Sequence, residues 1–237
     1  MRRMVCADLK RILAKPGLYA SVILMLLVML FKDAESTPAE MIDFYRMIFN
    51  IAGLTIVCIP IFLSVYSDEL KSGTMITAIG MGMARRKIIL VKLRDCLILL
   101  LGSYIILYLG ALANNCITEL PITPRQNAFL FLYCMFCVIR GMGIFALSSL
   151  VLFLTMSQAG GMLTLILAGV AAPNFLKGVQ DYTDIPFYNI SYIGLLDSAY
   201  ADFQNGAMGG TLIIALIYLA IVIALNIKLF DRKELEL

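Results

Sequence analysis

The residues that commonly carry out catalysis are scarce in this chain. It contains no histidine, and so lacks the most frequent general base and the most frequent metal ligand. None of its long apolar segments carries a pair of carboxylates, which argues against an aspartyl protease or a relay of acidic groups. No G-x-x-x-x-G-K-[ST] phosphate-binding sequence is present. The sequence therefore predicts that the chain is not an enzyme, hydrolyses no ATP and binds no cofactor.

Cys134 and Cys137 have the spacing of a pair of metal ligands. They lie, however, in a long apolar segment, and no histidine is available to complete a site. Cysteine is among the residues most often buried as a small apolar side chain. Ordinary packing is therefore favoured over metal binding, and we expect no metal.

Composition indicates a protein of the lipid bilayer. Hydrophobic residues make up 61% of the sequence and charged residues 15%, whereas soluble domains have about 45–50% apolar and 25% charged residues. The apolar residues form long uncharged blocks, and a membrane-spanning helix needs about 20 of them. The sequence thus predicts an all-α integral membrane protein in which residues 1–237 form a single transmembrane domain.

Six membrane-spanning helices are predicted. Their approximate bounds are 16–32, 46–67, 88–112, 127–155, 159–177 and 208–230. The fourth and fifth come from one apolar block, which we divide at the polar and glycine-rich residues 157–161. Residues 1–15 place apolar and basic side chains largely on opposite sides of a helix, and are predicted to form an interfacial helix rather than a cleavable signal peptide.

The distribution of basic residues orients the six helices, because cytosolic loops carry the excess of lysine and arginine. Fourteen basic residues lie on one side and four on the other. The fourteen are Arg2, Arg3, Lys10, Arg11, Lys15, Lys71, Arg85, Arg86, Lys87, Lys92, Arg94, Lys228, Arg232 and Lys233. The four are Lys32, Arg46, Arg125 and Lys177. Both termini are thus expected in the cytosol, and the net charge of +3 reflects topology rather than a nucleic-acid-binding surface.

Arg140 is the one charged residue deep inside a predicted span. An arginine at a helix centre costs about 2.5–3.5 kcal/mol on insertion scales, so we expect a partner for it. Two interpretations stay open. Arg140 faces a polar pathway or an anionic substrate group, or it anchors neighbouring helices or subunits through backbone carbonyls, with Gly141 and Gly143 allowing close packing.

The outer segment, residues 178–206, combines acidic and aromatic side chains. Residues 191–203 have the pattern of a short amphipathic helix that lies at the outer interface, with its tyrosines at the depth of the lipid headgroups. A simple acidic loop is the alternative.

The most informative segment, residues 67–87, lies between the second and third spans on the cytosolic side. Gly73 interrupts the second helix, and Thr74 can cap a short helix that ends at Gly80 and Gly82. A loop that only fixed the topology would need basic residues, but not a glycine turn and a helix. The apolar face expected to be available to a soluble partner consists of Met75, Ile76 and Ile79.

At this segment the chain resembles the membrane subunit of type-2 ATP-binding-cassette (ABC) transporters of the small bacterial six-span class. The resemblance rests on an acid-rich turn followed by Ser72-Gly73-Thr74, an apolar helix, Arg85-Arg86-Lys87, and Lys92 at the start of the third span. It extends over the whole chain through the six spans, the basic N-terminal helix and the elaborated outer segment. The proline of the family's proline-x-serine-arginine stretch is absent, and Gly82-Met83-Ala84 precede Arg85.

The resemblance implies a coupling helix that docks into a separate ATPase subunit, which binds ATP and magnesium. The implied contact residues are Glu69, Lys71, Gly73, Thr74, Met75, Ile76, Ile79, Arg85 and Arg86. It also implies a second membrane subunit, identical or a sister chain, in a bacterial plasma membrane, and export of a substrate driven by ATP hydrolysis. An amphipathic or antimicrobial peptide suits the acidic outer segment by charge, for export or self-protection.

Two other classes of function stay open. An ATP-independent secondary transporter or channel would show inverted repeats, broken spans and acids at the midplane; no clear repeat is evident, and Pro60 and Pro173 are the possible breaks. A non-transporting membrane scaffold would keep the cytosolic helix, but would need neither Arg140 nor the outer segment.

Overall fold

The computed structural model describes residues 2–30, 37–71, 74–119, 122–197, 202–203 and 208–232. Within these ranges every regular element is helical and no strand occurs. Five of the described helices are long and apolar enough to cross a membrane. The predicted all-α class is confirmed, and the long apolar helices are consistent with a multi-pass membrane protein.

A short break separates the first two helices. α1 (Arg2–Leu13) and α2 (Pro16–Leu30) are separated by two residues, and proline suits the first position of a helix because its missing N–H is not needed there. α2 has 15 residues, or about 22 Å of helix, which is shorter than the roughly 30 Å hydrocarbon core of a bilayer. The count of six spans, which includes α2, stays a prediction.

The predicted span 46–67 lies inside a longer, continuous helical segment. Three helical pieces follow one another without a break: α3 (Pro38–Met47), a π-helix (Ile48–Val57) and α4 (Cys58–Lys71). Thr37 begins this segment. Its hydroxyl accepts the N–H of Glu40, and the Glu40 carboxylate accepts the N–H of Thr37, which satisfies two backbone donors that a helix start leaves free.

A short helix and two long helices follow: α5 (Thr74–Gly80), α6 (Arg85–Ile117) and α7 (Pro124–Thr155). Thr123 starts α7 with the same reciprocal cap, here with Gln126. In α7, 72% of the most apolar stretch is buried, against 11% in the last helix of the chain. α7 is therefore the central helix of the bundle.

The chain reverses direction after α7. Met156 has a left-handed backbone with φ of 52°, and the hydroxyl of Ser157 accepts the N–H of Gly160 at 3.3 Å to cap the next helix. That helix consists of three pieces: α8 (Gln158–Ile166), a second π-helix (Leu167–Ala171) and α9 (Ala172–Thr183). The long apolar block thus forms two antiparallel helices.

Two short helices and one long helix end the described chain: α10 (Phe187–Ile190), α11 (Tyr192–Asp197) and α12 (Met208–Arg232). α11 packs against both α7 and α12. The outer segment therefore folds back onto the bundle.

Aromatic side chains form much of the core around α7. Phe62 and Tyr66 of α4 pack beside Phe145 and Phe153 of α7, and the ring centroid of Phe230 in α12 lies 4.7 Å from that of Phe153. Aromatic ring pairs at such distances stabilise the fold by more than the burial of their apolar surface alone. These contacts fix α12, which is otherwise peripheral, to the central helix.

One end of the bundle, here called the basic end, carries Lys15, Arg85, Arg86, Lys87 and Lys92. Ion pairs and a hydrogen bond join the helices there: Lys15 Nζ to the Asp68 carboxylate at 2.8 Å, Lys92 Nζ to the Asp8 carboxylate at 2.8 Å, and Ser67 Oγ to Gln158 Oε1 at 3.3 Å. They connect the link between α1 and α2 with α4, α1 with α6, and α4 with α8. The charge distribution assigns this end to the cytosol, and that sidedness stays a prediction.

Candidate functional site

α5 lies between α4 and α6 at the basic end and has seven residues. Two hydrogen bonds end it, from the N–H of Gly82 to the Ile79 carbonyl at 2.9 Å and from the N–H of Met83 to the Ala78 carbonyl at 3.0 Å. Gly82 has φ of 87°, a left-handed conformation that glycine adopts without strain, and this combination is a Schellman motif. A short helix is present at this point of the chain, and its role as a coupling helix stays a prediction.

Two side chains of the predicted apolar face of α5, Met75 and Ile79, lie against the bundle. Met75 is 5% exposed and belongs to the core, and Ile79 packs against the same core. From the sequence, both side chains are predicted to be available to a soluble partner. In the structure Met75 is buried and Ile79 is partly buried, because α4 lies against α5. Contact of these residues with an ATPase stays a prediction. Met81, by contrast, is 81% exposed and is the prominent apolar side chain of the segment.

Arg85 and Arg86 have different surroundings. Arg85 Nη1 donates to the carbonyls of Phe230 at 3.0 Å and Asp231 at 3.3 Å. The last carbonyls of a helix lack intrahelical partners and carry the negative end of its dipole, so Arg85 caps the C-terminus of α12. Arg86 is exposed. Arg85 therefore links the segment to α12, while Arg86 is accessible to a partner.

The other predicted contact residues are only partly covered by the structure. Gly73 lies outside the described residues. Four residues have a described helical backbone but no described side chain: Glu69, Lys71, Thr74 and Ile76. Their contact with an ATPase stays a prediction.

Arg140 lies in α7 and is 6% exposed. Its guanidinium donates through Nη1 to the side-chain oxygen of Asn50, which belongs to the π-helix Ile48–Val57. Beside it, the Tyr104 hydroxyl donates to the Phe49 carbonyl at 2.9 Å. π-Helical segments are rare and occur frequently at functional sites. A buried arginine, a side-chain amide and an irregular helix thus meet inside the bundle.

Tyr192 of α11 reaches the same part of α7. Its hydroxyl donates to the carbonyl of Ile139, and a Cβ on Gly143 would lie 2.4 Å from its ring. Burial raises the pKa of Tyr192, which keeps the hydroxyl protonated and able to donate. The sequence predicts this tyrosine at headgroup depth. In the structure its ring packs beside Gly143 of α7, and its depth in a membrane stays a prediction. Residues 198–201 of the predicted amphipathic helix lie outside the described residues.

Gly143→Ala is expected to destabilise the protein by about 1–3 kcal/mol, the usual effect of overpacking, because the new methyl group would overlap the Tyr192 ring. Gly169→Ala is the matched control, since its Cβ would contact Ile144 at an ordinary 3.8 Å. Unfolding by SDS titration in detergent micelles measures both. In a Tyr192→Ala background the effect of Gly143→Ala should largely disappear, and an undiminished effect there would contradict this packing.

Two buried clusters of uncharged polar residues, which were not predicted from the sequence, join helices of the bundle. Asn114 Nδ2 donates to the Tyr45 hydroxyl at 3.0 Å, and that hydroxyl donates to Asn115 Oδ1 at 2.8 Å, joining α3 to α6. Asn226 Nδ2 donates to the Ser149 hydroxyl at 2.6 Å, joining α12 to α7. An asparagine within an apolar run of the sequence indicates such a cluster, because a buried amide needs a hydrogen-bond partner.

Cys134 and Cys137 are both buried in α7. Among the residues that the structure describes, no group of three or more histidine, cysteine, aspartate or glutamate side chains could hold a metal ion.

No family model matches the chain, and comparisons with curated proteins and with solved structures give no significant match. The function proposed below therefore depends on the residues and contacts described above and on the resemblance of the sequence.

Proposed function

We propose that this chain is the membrane subunit of a bacterial type-2 ABC transporter, which couples ATP hydrolysis by a separate ATPase subunit to the export of a substrate. The observation that carries the proposal is the helix α5, placed between two membrane-length helices at the basic end of the bundle. ATP and magnesium would be bound by the ATPase. A second membrane subunit, identical or related, would complete the translocation pathway in the plasma membrane.

The contacts of the segment are suited to transmitting movement from a partner. Met75 fixes α5 to the core, Arg85 fixes the start of α6 to the C-terminus of α12, and the pair Lys15–Asp68 fixes the end of α4 to the N-terminal helices. A partner that bound the exposed residues Met81 and Arg86 would therefore move α4, α6 and α12 together. Closure of two ATPase subunits around ATP would reorient the spans in this way.

The outer segment favours a cationic amphipathic peptide as the substrate. Asp181 and Asp184 are exposed, and Tyr182 between them is 91% exposed. Acidic groups raise the local concentration of a cationic ligand, and exposed tyrosine offers apolar contact beside them. Export of such peptides, or self-protection against them, would use this surface.

One observation favours an ATP-independent transporter as the second candidate. The π-helices Ile48–Val57 and Leu167–Ala171 lie within two membrane-length helices and contact each other. Transporters bind their substrates where spanning helices are interrupted, and Arg140 contacts the first of these π-helices. This function would require no ATPase subunit.

Met81→Asp is expected to abolish co-purification of an ATPase subunit from native membranes in mild detergent. The side chain is 81% exposed, so the charge should disturb docking rather than folding. Tyr182→Asp is the matched control, because that side chain is 91% exposed and lies in the outer segment. The ATPase is identified by mass spectrometry and by ATP hydrolysis in the eluate.

An ATPase that accompanies the wild type and Tyr182→Asp, but not Met81→Asp, would support the proposal. Wild-type protein that purifies with no ATPase would contradict it and favour the ATP-independent transporter. An ATPase retained equally by both variants would place the docking surface elsewhere on the chain.

A further inference from the structure

An apolar groove of about 390 Å³ runs between α1, α2 and α6. Leu13 and Tyr19, at 43% and 48% exposed, form part of its open side. The volume lies near the lower limit of small-molecule sites, which is about 300 Å³.

Arg94 lies on α6 beside one end of this groove. Ile98, Gly102 and Ile106 line the groove, and Arg94 lies one helical turn before Ile98, next to it on the helix surface. Arg94 is exposed and lies two residues before the uncharged run that begins at Cys96, so a bilayer spanned by that run would place it near the lipid headgroups. On α1, Lys10 is also exposed, between the groove residues Leu9 and Leu13. The groove is therefore apolar along its length and flanked by cations at one end.

We infer that this groove binds one anionic phospholipid, with an acyl chain along α6 and the phosphate beside Arg94. Basic residues at the membrane surface attract anionic headgroups, and the apolar walls replace contacts with neighbouring lipid chains. The acyl chain passes over Gly102, where an added Cβ would meet no atom within 4 Å. The inference requires only that the chain resides in a membrane, and is independent of the proposed partnership with an ATPase.

The experiment uses a single tryptophan as a reporter, because the chain contains none. The full-length Tyr19→Trp variant is reconstituted into phosphatidylcholine vesicles with increasing shares of phosphatidylglycerol, and brominated acyl chains are placed on one lipid at a time. Brominated phosphatidylglycerol should quench the tryptophan more strongly than brominated phosphatidylcholine at equal share, and should reach saturation at a low share.

Three variants in the Tyr19→Trp background identify the site. Gly102→Leu should remove the excess quenching, because leucine fills the path of the acyl chain. Arg94→Gln should reduce the preference for phosphatidylglycerol about fivefold, the effect of one basic residue near the surface. Gly178→Leu is the matched control and should change nothing, since its Cβ also meets open space but lies on α9, outside the groove.

Three results would overturn the inference: equal quenching by both lipids, a preference that survives Gly102→Leu, and weak quenching by either lipid. Weak quenching is the result that a second copy of the chain covering the groove would give. Arg94→Gln changes an exposed side chain and so keeps the test valid even where Gly102→Leu fails to fold.

Discussion

Replacement of Asp8 by alanine is expected to destabilise the folded protein by about 3–5 kcal/mol. The Asp8 carboxylate lies 2.8 Å from Nζ of Lys92, whose side chain is 1% exposed. Removing the carboxylate leaves a buried ammonium group without this counter-charge, and a charge that has lost its water is strongly unfavourable. Denaturant unfolding in detergent micelles, followed by circular dichroism, measures the loss.

Two further variants isolate the ion pair. Lys92→Met combined with Asp8→Ala should restore most of the stability, because an apolar side chain of similar length suits the buried position. Arg11 lies 3.8 Å from the same carboxylate with its side chain 38% exposed, so Arg11→Gln should lower stability by less than about 1 kcal/mol. A double variant as unstable as Asp8→Ala alone would contradict the importance of the buried pair.

Local signals were sufficient to predict most of the helices. A bilayer leaves no water to satisfy backbone groups, so long uncharged runs must become helices. The division of the long apolar block at residues 157–161 followed from their polar and glycine-rich character. In the structure the turn is at Met156, which has a positive φ, and Ser157 caps α8. The end of α5 followed from Gly82, which has the positive φ that such a helix end requires.

The partners of the site residues could not be predicted, because they depend on how the helices pack. The sequence shows that Met75 and Ile79 share a helix face, but not whether α4 or a soluble partner covers it. The partner of Arg140 was sought among acids and backbone carbonyls. In the structure Arg140 donates to the side-chain amide oxygen of Asn50, 90 residues away in the chain. Because asparagine is uncharged, the distribution of charged residues in the sequence could not identify it as the partner. Tyr192 likewise reaches α7 only because Gly143, far from it in sequence, leaves room.

Arg140→Met separates the two roles considered for this arginine, because they predict opposite effects on stability. A hydrogen bond between membrane helices contributes on average about 0.6 kcal/mol, whereas an arginine at a helix centre costs about 2.5–3.5 kcal/mol. Loss of the bond to Asn50 should therefore be offset by loss of the buried charge. We expect the variant to unfold at the same or a higher SDS concentration than the wild type.

If the chain has the proposed transport function, transport by the same variant should fall about tenfold to a hundredfold, the usual contribution of a hydrogen bond to a charged group. A polar pathway at Arg140 would then lose its cation for an anionic group of the substrate, such as a peptide carboxylate. Uptake of a labelled amphipathic peptide into inside-out membrane vesicles measures transport, and SDS unfolding is measured on the same protein. Arg140→Lys is the control: it retains the charge but not the planar guanidinium, and should retain part of the transport. Reduced stability with unchanged transport would instead assign Arg140 to anchoring the π-helix against α7, and a polar pathway at this position would be excluded.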